Sequence, residues 1–469
     1  MTRMAIRFGT SGWRGILADD FGFDGARAVS AAVARWARES GPGSRVVVAH
    51  DTRFLGSRFA SAAARVLAGA GVRPIRARGP VPTPVASFAV RRRRAAAGIV
   101  FTASHNPPEY QGLKVVAPWG GGATEEITAR LERWAAEVLA SRPPPETEPR
   151  GRAVDLTGPY LEHLLGHLDR SRLRRSGIRV LYDALHGAAA GVLDEALRRC
   201  GVAVDVRRGD PDPGFGGQSP DPIPERLGSL AREVRKGKGL RLGLATDGDG
   251  DRFAAIDVDG RVLSESAALA LLVDHLARTG RARRGVAISI ATGSLVERVA
   301  RSHGLPVRRL PIGFKHLSRA LVEGEADVAG EESGGFAWGR VARDKDGILA
   351  GCLLAEIVAT TGAPLGARLA ALEREHGRSA CGRMAIAADE GARRGLAALR
   401  SALPSRVDGA RVLECDEKGG LRVTLDDGFL MFRASGTEPV LRIYAEARGP
   451  RLLSQRLRAG AELLRRAGR

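Results

Sequence analysis

Short β-branched runs alternate with longer alanine-rich amphipathic runs from the start of this chain to beyond residue 350. That alternation confines most of it to an α/β architecture. Arg45-Val-Val-Val-Ala-His50 reads as a buried strand and Phe59–Ala70 as an amphipathic helix. Ala97–Phe101 is a further strand that runs straight into Thr102-Ala-Ser-His-Asn-Pro-Pro108. Pro143–Pro149 reads as a linker. Beyond it, strands at Ile178–Tyr182 and Val202–Val206 flank a helix at Gly191–Cys200, and the strand Leu240–Ala245 ends in a loop of aspartates and glycines. Phe253–Val258, Asp259-Gly260 and Arg261–Leu263 predict strand, turn and strand. Helices follow at Ser266–Arg278, Leu295–His303 and Ile348–Ala359, with strands at Val286–Ile290 and Val307–Leu310. The pattern then changes: Met384–Ala388, Arg411–Glu414, Leu421–Leu425, Phe429–Phe432 and Arg442–Ala447 predict the strands of a smaller α+β domain.

At 469 residues the chain is too long for one ordinary core. The expected division is an α/β domain over 1–150, a second over 151–257, a third over 258–375 and the α+β domain over 376–469. In each of the first three a polar loop follows the carboxyl end of a strand, where open α/β sheets place ligands. No apolar run has the length of a signal segment or a membrane span, and the four scattered cysteines fit free thiols in a reducing compartment. The expectation is a cytoplasmic protein without a membrane partner.

The formal net charge of +20 invites a nucleic-acid reading. Lysine, however, occurs only at 114, 236, 238, 315, 345 and 418, against 67 arginines spread along the chain. That is a bias toward arginine on solvated faces rather than a basic patch, and no nucleic-acid partner is expected. A positive field would instead favour small anionic substrates. Where lysine is so scarce, a retained lysine marks a place for an amine that can lose its proton, as arginine cannot. Lys114, Lys315 and Lys345 stand in segments that carry other polar chemistry.

Four such segments stand out. Phe101–Pro108 presents Ser104 and His105 in a tight polar loop; it lacks the Gly-x-Ser-x-Gly of a hydrolase elbow. Thr246-Asp-Gly-Asp-Gly-Asp-Arg252 sets Asp247, Asp249 and Asp251 at alternate positions, an oxygen cage for a hard divalent cation such as Mg²⁺. It is no EF-hand, because Arg252 and Val258 stand at its sixth and twelfth positions. Gly330-Glu-Glu-Ser-Gly-Gly335 carries acceptors for sugar hydroxyls on small residues. Arg433-Ala-Ser-Gly-Thr-Glu-Pro439 combines arginine, hydroxyls and backbone N–H groups in a phosphate-binding nest, with Arg442 nearby; a Walker lysine is missing. Serine and cation cage together point to metal-assisted phosphoryl transfer through a phosphoserine.

These segments, in this order and with Phe8-Gly-Thr-Ser-Gly-Trp-Arg-Gly15 before them, resemble the α-D-phosphohexomutases, the family of phosphoglucomutase and phosphomannomutase, over nearly the whole chain. The resemblance implies a heart-shaped mutase of four domains, three related α/β domains with mixed sheets and a C-terminal α+β domain like the TATA-binding fold. It implies that Ser104 carries a phosphate, gives it to a hexose monophosphate to form a 1,6-bisphosphate, and takes back the other phosphate after the intermediate turns around. Hexose 1,6-bisphosphate is then the activator and Mg²⁺ the cofactor, held by Asp247, Asp249, Asp251 and Ser104. Arg433, Ser435, Gly436, Thr437 and Arg442 would hold the distal phosphate, and Glu331 and Ser333 the sugar, with Arg252, Gly313 and Lys315 as further substrate contacts. Lys114 and Lys345 are the expected acid and base, their amines lowered in pKa by Arg14, Arg252 and a metal; His105 and Arg14 support the phosphoserine.

Members acting on two sugars, or on glucosamine phosphate, often end the sugar loop in Ser-Gly-His, whereas Gly335 stands there in this chain. Gly313-Phe-Lys315 and the Lys345 segment resemble phosphoglucomutases more closely. Glucose phosphate is therefore the first expected substrate, mannose phosphate the second and glucosamine phosphate the third. A non-catalytic phosphosugar-binding protein on the same fold predicts loss of Ser104, the aspartates or the basic residues, and all are present. A bisphosphate synthase or phosphatase of the same family ranks below a mutase. The expected state is a monomer or homodimer.

Overall fold

The computed structural model describes residues 6–41, 43–141, 144–434 and 440–468. The chain forms two compact units. The first comprises Met1–Val262, Leu321–Glu323 and Gly335–Pro364; the second comprises Leu263–Ala320, Gly324–Gly334 and Leu365–Arg469.

Within the first unit one mixed sheet runs in the order Trp13–Ile16, Tyr110–Val116, Ala97–Phe101, Arg45–His50, Arg73–Arg76. Its last three strands are parallel, and Tyr110–Val116 lies antiparallel between Ala97–Phe101 and Trp13–Ile16. Val46, Val47, Val48 and Ala49 are all buried, as expected of a parallel strand covered on both faces. An aromatic ladder ties the sheet together: Trp13 to Phe21 at 4.3 Å, Phe21 to Phe59 at 5.2 Å and Phe59 to Phe101 at 5.8 Å between ring centroids. It fixes the strand that carries Arg14 against the strand that ends in the Ser104 loop. A second sheet orders Ala203–Arg207, Arg179–Asp183, Arg241–Thr246 and Phe253–Ile256, the last strand antiparallel. Its final pair closes on the aspartate loop, with Thr246 opposite Phe253.

The buried helix Gly347–Thr361 packs on this second sheet and on the helices Arg170–Arg175 and Leu193–Arg199. Asp346 caps its start by accepting the Leu349 N–H at 2.9 Å. Such a cap stabilises a helix by about 1 kcal/mol. The Tyr160 hydroxyl lies 2.9 Å from both oxygens of the same carboxylate. The capped turn thereby places Lys345, its immediate neighbour.

In the second unit Val286–Ser289 pairs in parallel with Val307–Leu310 and Val328–Glu331, with the helices Glu265–Arg278 and Ser294–Ser302 packed together beside them. A six-stranded antiparallel sheet follows, in the order Ala380–Ala387, Val440–Ala447, Gly428–Ala434, Leu421–Leu425, Ala410–Asp416, Arg406–Val407. The helix Pro450–Ala467 covers it and packs in turn on Glu390–Ser401. The fold is the expected α/β arrangement of mixed sheets with a C-terminal α+β layer. One expected strand fails. Arg261–Leu263 makes only an isolated bridge, Ile256 with Val262, because the turn bond Asp257 N–H to Arg261 O and the helix cap at Ser264 leave too few residues between them. Among the described residues no single helix is long and apolar enough to cross a membrane, and the four cysteines are free.

The two C-terminal helices approach closely at Gly395, where an added Cβ would lie 2.1 Å from the Leu464 carbonyl oxygen. Gly395→Ala is expected to destabilise the second unit by about 1–3 kcal/mol, read as a lower midpoint of guanidinium unfolding. An unchanged midpoint would contradict this packing.

Candidate active site

Ser104 begins the first turn after the strand Ala97–Phe101 and is buried. Its φ is +54°, in the left-handed region that few non-glycine residues enter. The Thr102 hydroxyl accepts its N–H at 2.8 Å, and its own hydroxyl donates to Asp247 Oδ2 at 2.7 Å. The serine loop and the aspartate loop, separated by more than a hundred residues, thus meet at the serine oxygen. Gly248 is required at that contact: a Cβ there would sit 2.6 Å from the Ser104 carbonyl oxygen. Arg14 donates to Asn106 Oδ1 at 2.6 Å, and His105 Nδ1 lies 3.6 Å from Asp221 Oδ2. Burial and then the charge of Arg252 push the His105 imidazole below its ordinary range, so it is neutral at pH 7.

Asp247, Asp249 and Asp251 are buried, and their ligand oxygens all lie within 4.8 Å of one another. Lys114 reaches them from the strand Tyr110–Val116, with Nζ 2.6 Å from both Asp249 Oδ2 and Asp251 Oδ2. Lys345 Nζ stands 3.4 Å from the same Asp251 oxygen. The Thr83 hydroxyl donates to Asp249 Oδ2, and the Thr83 N–H to the Asp249 carbonyl at 2.9 Å. The Arg252 N–H donates to Asp247 Oδ1 at 3.0 Å. The remaining oxygens, Asp249 Oδ1 and Asp251 Oδ1, are buried without a hydrogen-bond donor. Orphaned anionic oxygens grouped this closely are what a hard divalent cation would satisfy, so the donor set fits the expected cation.

The charges divide unevenly. Burial, reinforced by Asp249 and Asp251, holds Asp247 well above the usual carboxylate range. Asp251 is also pushed up by burial, but Lys114, Lys345 and Arg252 outweigh that and hold it low. Burial works to lower the Lys114 amine, yet Asp249 and Asp251 outweigh burial and Arg14 together and hold it above its ordinary value. At this amine two carboxylates in direct contact outweigh the more distant guanidinium of Arg14.

In the second unit Glu331 ends the strand Val328–Glu331 and accepts the Ser333 hydroxyl at 2.6 Å. Its neighbour Glu332 accepts the Ser289 hydroxyl. Burial and the Glu331 charge push Glu332 up to about 7. Gly313 precedes the helix Phe314–Val322, which carries Lys315 in its first turn. Arg433 and Arg442 face each other across the strands Gly428–Ala434 and Val440–Ala447. Ser435, Gly436 and Thr437 lie outside the described residues. Sequence reasoning passed over Thr83, Asp51 and Arg53. Only the adjacency of Asp51-Thr-Arg53 to a strand end could have signalled the last two.

Four family models match in chain order: phosphoglucomutase/phosphomannomutase alpha/beta/alpha domain I over residues 5–140, domain II over 158–260, domain III over 265–375 and the C-terminal domain over 385–461. A phosphoglucomutase/phosphomannomutase of Thermococcus kodakarensis is 30% identical over 469 residues, 99% of each chain. A phosphoglucosamine mutase of Rubrobacter xylanophilus is 32% identical over 443 residues, 94% of this chain and 93% of its own. The solved structure of a phosphoglucomutase/phosphomannomutase family protein from Burkholderia thailandensis is 25% identical with a TM-score of 0.85, over 100% of this chain and 98% of that one.

Asp249→Ala and Asp251→Ala are each expected to weaken Mg²⁺ or Mn²⁺ binding by at least about tenfold. Titration calorimetry, or the loss of the free Mn²⁺ electron-resonance signal, measures this. Unaltered affinity in both variants would remove the cation from this loop.

Proposed function

Because this chain belongs to the phosphoglucomutase/phosphomannomutase family, whose members are isomerases, we propose that it interconverts hexose 1-phosphate and hexose 6-phosphate through a phosphoserine at Ser104. The observation that carries this reading is the Ser104 hydroxyl at 2.7 Å from Asp247, in a buried triad of carboxylates whose other two members Lys114 bridges.

In the proposed cycle the Ser104 Oγ–P bond breaks as a sugar hydroxyl oxygen bonds to phosphorus and releases its proton. The resulting 1,6-bisphosphate turns around, and its other phosphate returns to Ser104 by the reverse exchange. Hexose 1,6-bisphosphate supplied from solution would load the serine and so act as activator. Asp247, Asp249, Asp251 and Ser104 would hold Mg²⁺, which when bound draws charge from the transferring group. Burial suits this chemistry, since excluding water strengthens each of these charge interactions. Lys114 and Lys345 converge on one oxygen of Asp251 from separate elements, which supports assigning them the proton transfers for the two substrate orientations. Arg14 and the neutral His105 would support the phosphoserine. Arg252, Gly313, Lys315, Glu331 and Ser333 are assigned to the sugar, and Arg433, Ser435, Gly436, Thr437 and Arg442 to the distal phosphate. Binding the distal phosphate helps hold the reacting hydroxyl in line.

Among hexoses, glucose phosphate is the favoured substrate and mannose phosphate a second. Gly335, where the histidine of many other members stands, supports that order. Relatives named as phosphoglucosamine mutases make glucosamine 1-phosphate the competitor to assay.

Three outcomes are expected. Intact mass should show one phosphoryl group on the wild type after exposure to glucose 1,6-bisphosphate and none on Ser104→Ala, which should lose interconversion; undiminished turnover in that variant ends the phosphoserine mechanism. Lys114→Arg and Lys345→Arg should each lower kcat by about 10²–10⁴-fold, and near-normal kcat in both removes the acid–base assignment. Coupled assays should rank kcat/KM as glucose, then mannose, then glucosamine 1-phosphate; a preference for glucosamine 1-phosphate reverses the substrate assignment.

A further inference from the structure

Ser104 is held from behind by a single guanidinium. Arg53 is buried, and its NH2 group donates to the Ser104 carbonyl at 2.8 Å and the Asn106 carbonyl at 2.5 Å. Its NH1 group donates to the carbonyls of Pro107 at 2.8 Å and Tyr110 at 2.9 Å. Three carbonyls of the serine loop and the first carbonyl of the strand Tyr110–Val116 therefore converge on one planar cation. The cation is itself fixed. Its Nε stands 3.4 Å from Asp51 Oδ2, its backbone N–H donates to Asp51 Oδ1 at 2.9 Å, and the Phe215 ring lies 4.8 Å from its centre. Asp51 begins just beyond the strand Arg45–His50, and its N–H donates to the Phe101 carbonyl at 3.0 Å. Burial pushes the Asp51 carboxyl up to about 6, against the opposing pull of Arg53 and then of a hydrogen bond from Thr102; the same Thr102 hydroxyl accepts the Ser104 N–H. Both backbone polar groups of Ser104 are thus tied to one buried ion pair.

This arrangement meets a specific need. A non-glycine residue at φ +54° costs energy of order 1–3 kcal/mol and persists only where its surroundings over-determine it. A fixed Ser104 carbonyl also sets the direction of the His105 N–H, since the trans peptide points the two oppositely. The same carbonyl oxygen is the atom that would meet a Cβ at Gly248, so Arg53 also sets the distance between the serine loop and the aspartate loop.

We propose that Arg53, with Asp51 and Thr102, is a positioning device for phosphoryl transfer: it touches no reacting atom but holds the Ser104 hydroxyl on the cation-binding loop. A guanidinium is required because its planar fork serves four acceptors at fixed angles, whereas a lysine ammonium has three donors and no plane.

The inference rests on Ser104 as the phosphate carrier, and the experiment separates the two. Arg53→Lys, Arg53→Met and Thr102→Val are compared with the wild type for kcat, KM, phosphoserine by intact mass and the ³¹P resonance of the loaded enzyme. Arg53→Met is expected to lose about a hundredfold in kcat, as a misplacement near 1 Å does, with KM for glucose 1-phosphate within about threefold, the signature of an interaction expressed in the transition state. Arg53→Lys should not restore kcat, and the phosphoserine resonance should shift or broaden in each Arg53 variant. Adding methylguanidinium to Arg53→Gly should recover part of kcat, where methylammonium should not. Wild-type kcat in folded Arg53→Met overturns the inference, as does a loss that appears in KM alone. If the Arg53 variants fail to fold, Thr102→Val decides: a lower kcat at unchanged KM with a shifted resonance supports the device, and wild-type kcat overturns it. A wild type that takes no phosphate would instead defeat the reading of Ser104 itself.

Discussion

Three buried carboxylates within 4.8 Å of one another are the constraint around which the first unit is arranged. Two like charges at 4 Å repel by about 4 kcal/mol at an effective dielectric of 20, and burial adds a further penalty to each. Unneutralised, such a group would not survive folding. Several elements answer it. The antiparallel strand Tyr110–Val116 brings the Lys114 ammonium to two of the three acids. The capped start of Gly347–Thr361 brings Lys345 to one of the same two. The turn into the helix Thr83–Arg92 supplies a hydroxyl and a backbone N–H to Asp249. Asp247, left to the serine hydroxyl and the Arg252 N–H, is the carboxyl pushed furthest toward its neutral form.

The same constraint explains the sheet order. A strand carrying a buried lysine must lie where its side chain can cross to the aspartate loop, and Lys114 stands opposite Val100 on the strand that leads to Ser104. Arg14, on Trp13–Ile16, sits opposite Gly112 on the other side of the lysine-bearing strand Tyr110–Val116. One strand thereby sets serine, lysine and arginine in fixed register, and a slip of a single residue would turn Lys114 to the opposite face.

Much of this was legible in the sequence, for physical reasons. Arg45–His50 and Ala97–Phe101 are continuous apolar runs because both faces are covered, and their limits agree with the observed strands to the residue. Val307–Leu310 and Leu421–Leu425 agree likewise. Tyr110–Val116 carried no such signal: Gly112 and Lys114 interrupt its apolar pattern, and both interruptions serve contacts outside the strand. The serine and aspartate loops were legible because their composition is unusual for turns. Arg53 was not, because one arginine among 67 looks like every other until the chain folds its guanidinium under four carbonyls. The lysines stood out only through their scarcity, and the fold brings two of them, Lys114 and Lys345, to one oxygen of Asp251.

The second unit handles adjacent acids differently. Glu331 ends the strand Val328–Glu331 and Glu332 begins the turn that follows it. Glu331 takes the nearby Ser333 hydroxyl. Glu332 takes that of Ser289 and interacts through its charge with Tyr444 and Arg383 of the antiparallel sheet. Burial first, and then the Glu331 charge, push Glu332 up to about 7. In the first unit, carboxylates kept charged by lysine can offer oxygens to a cation. In the second, the push on Glu332 favours a carboxyl that can donate as well as accept a hydrogen bond.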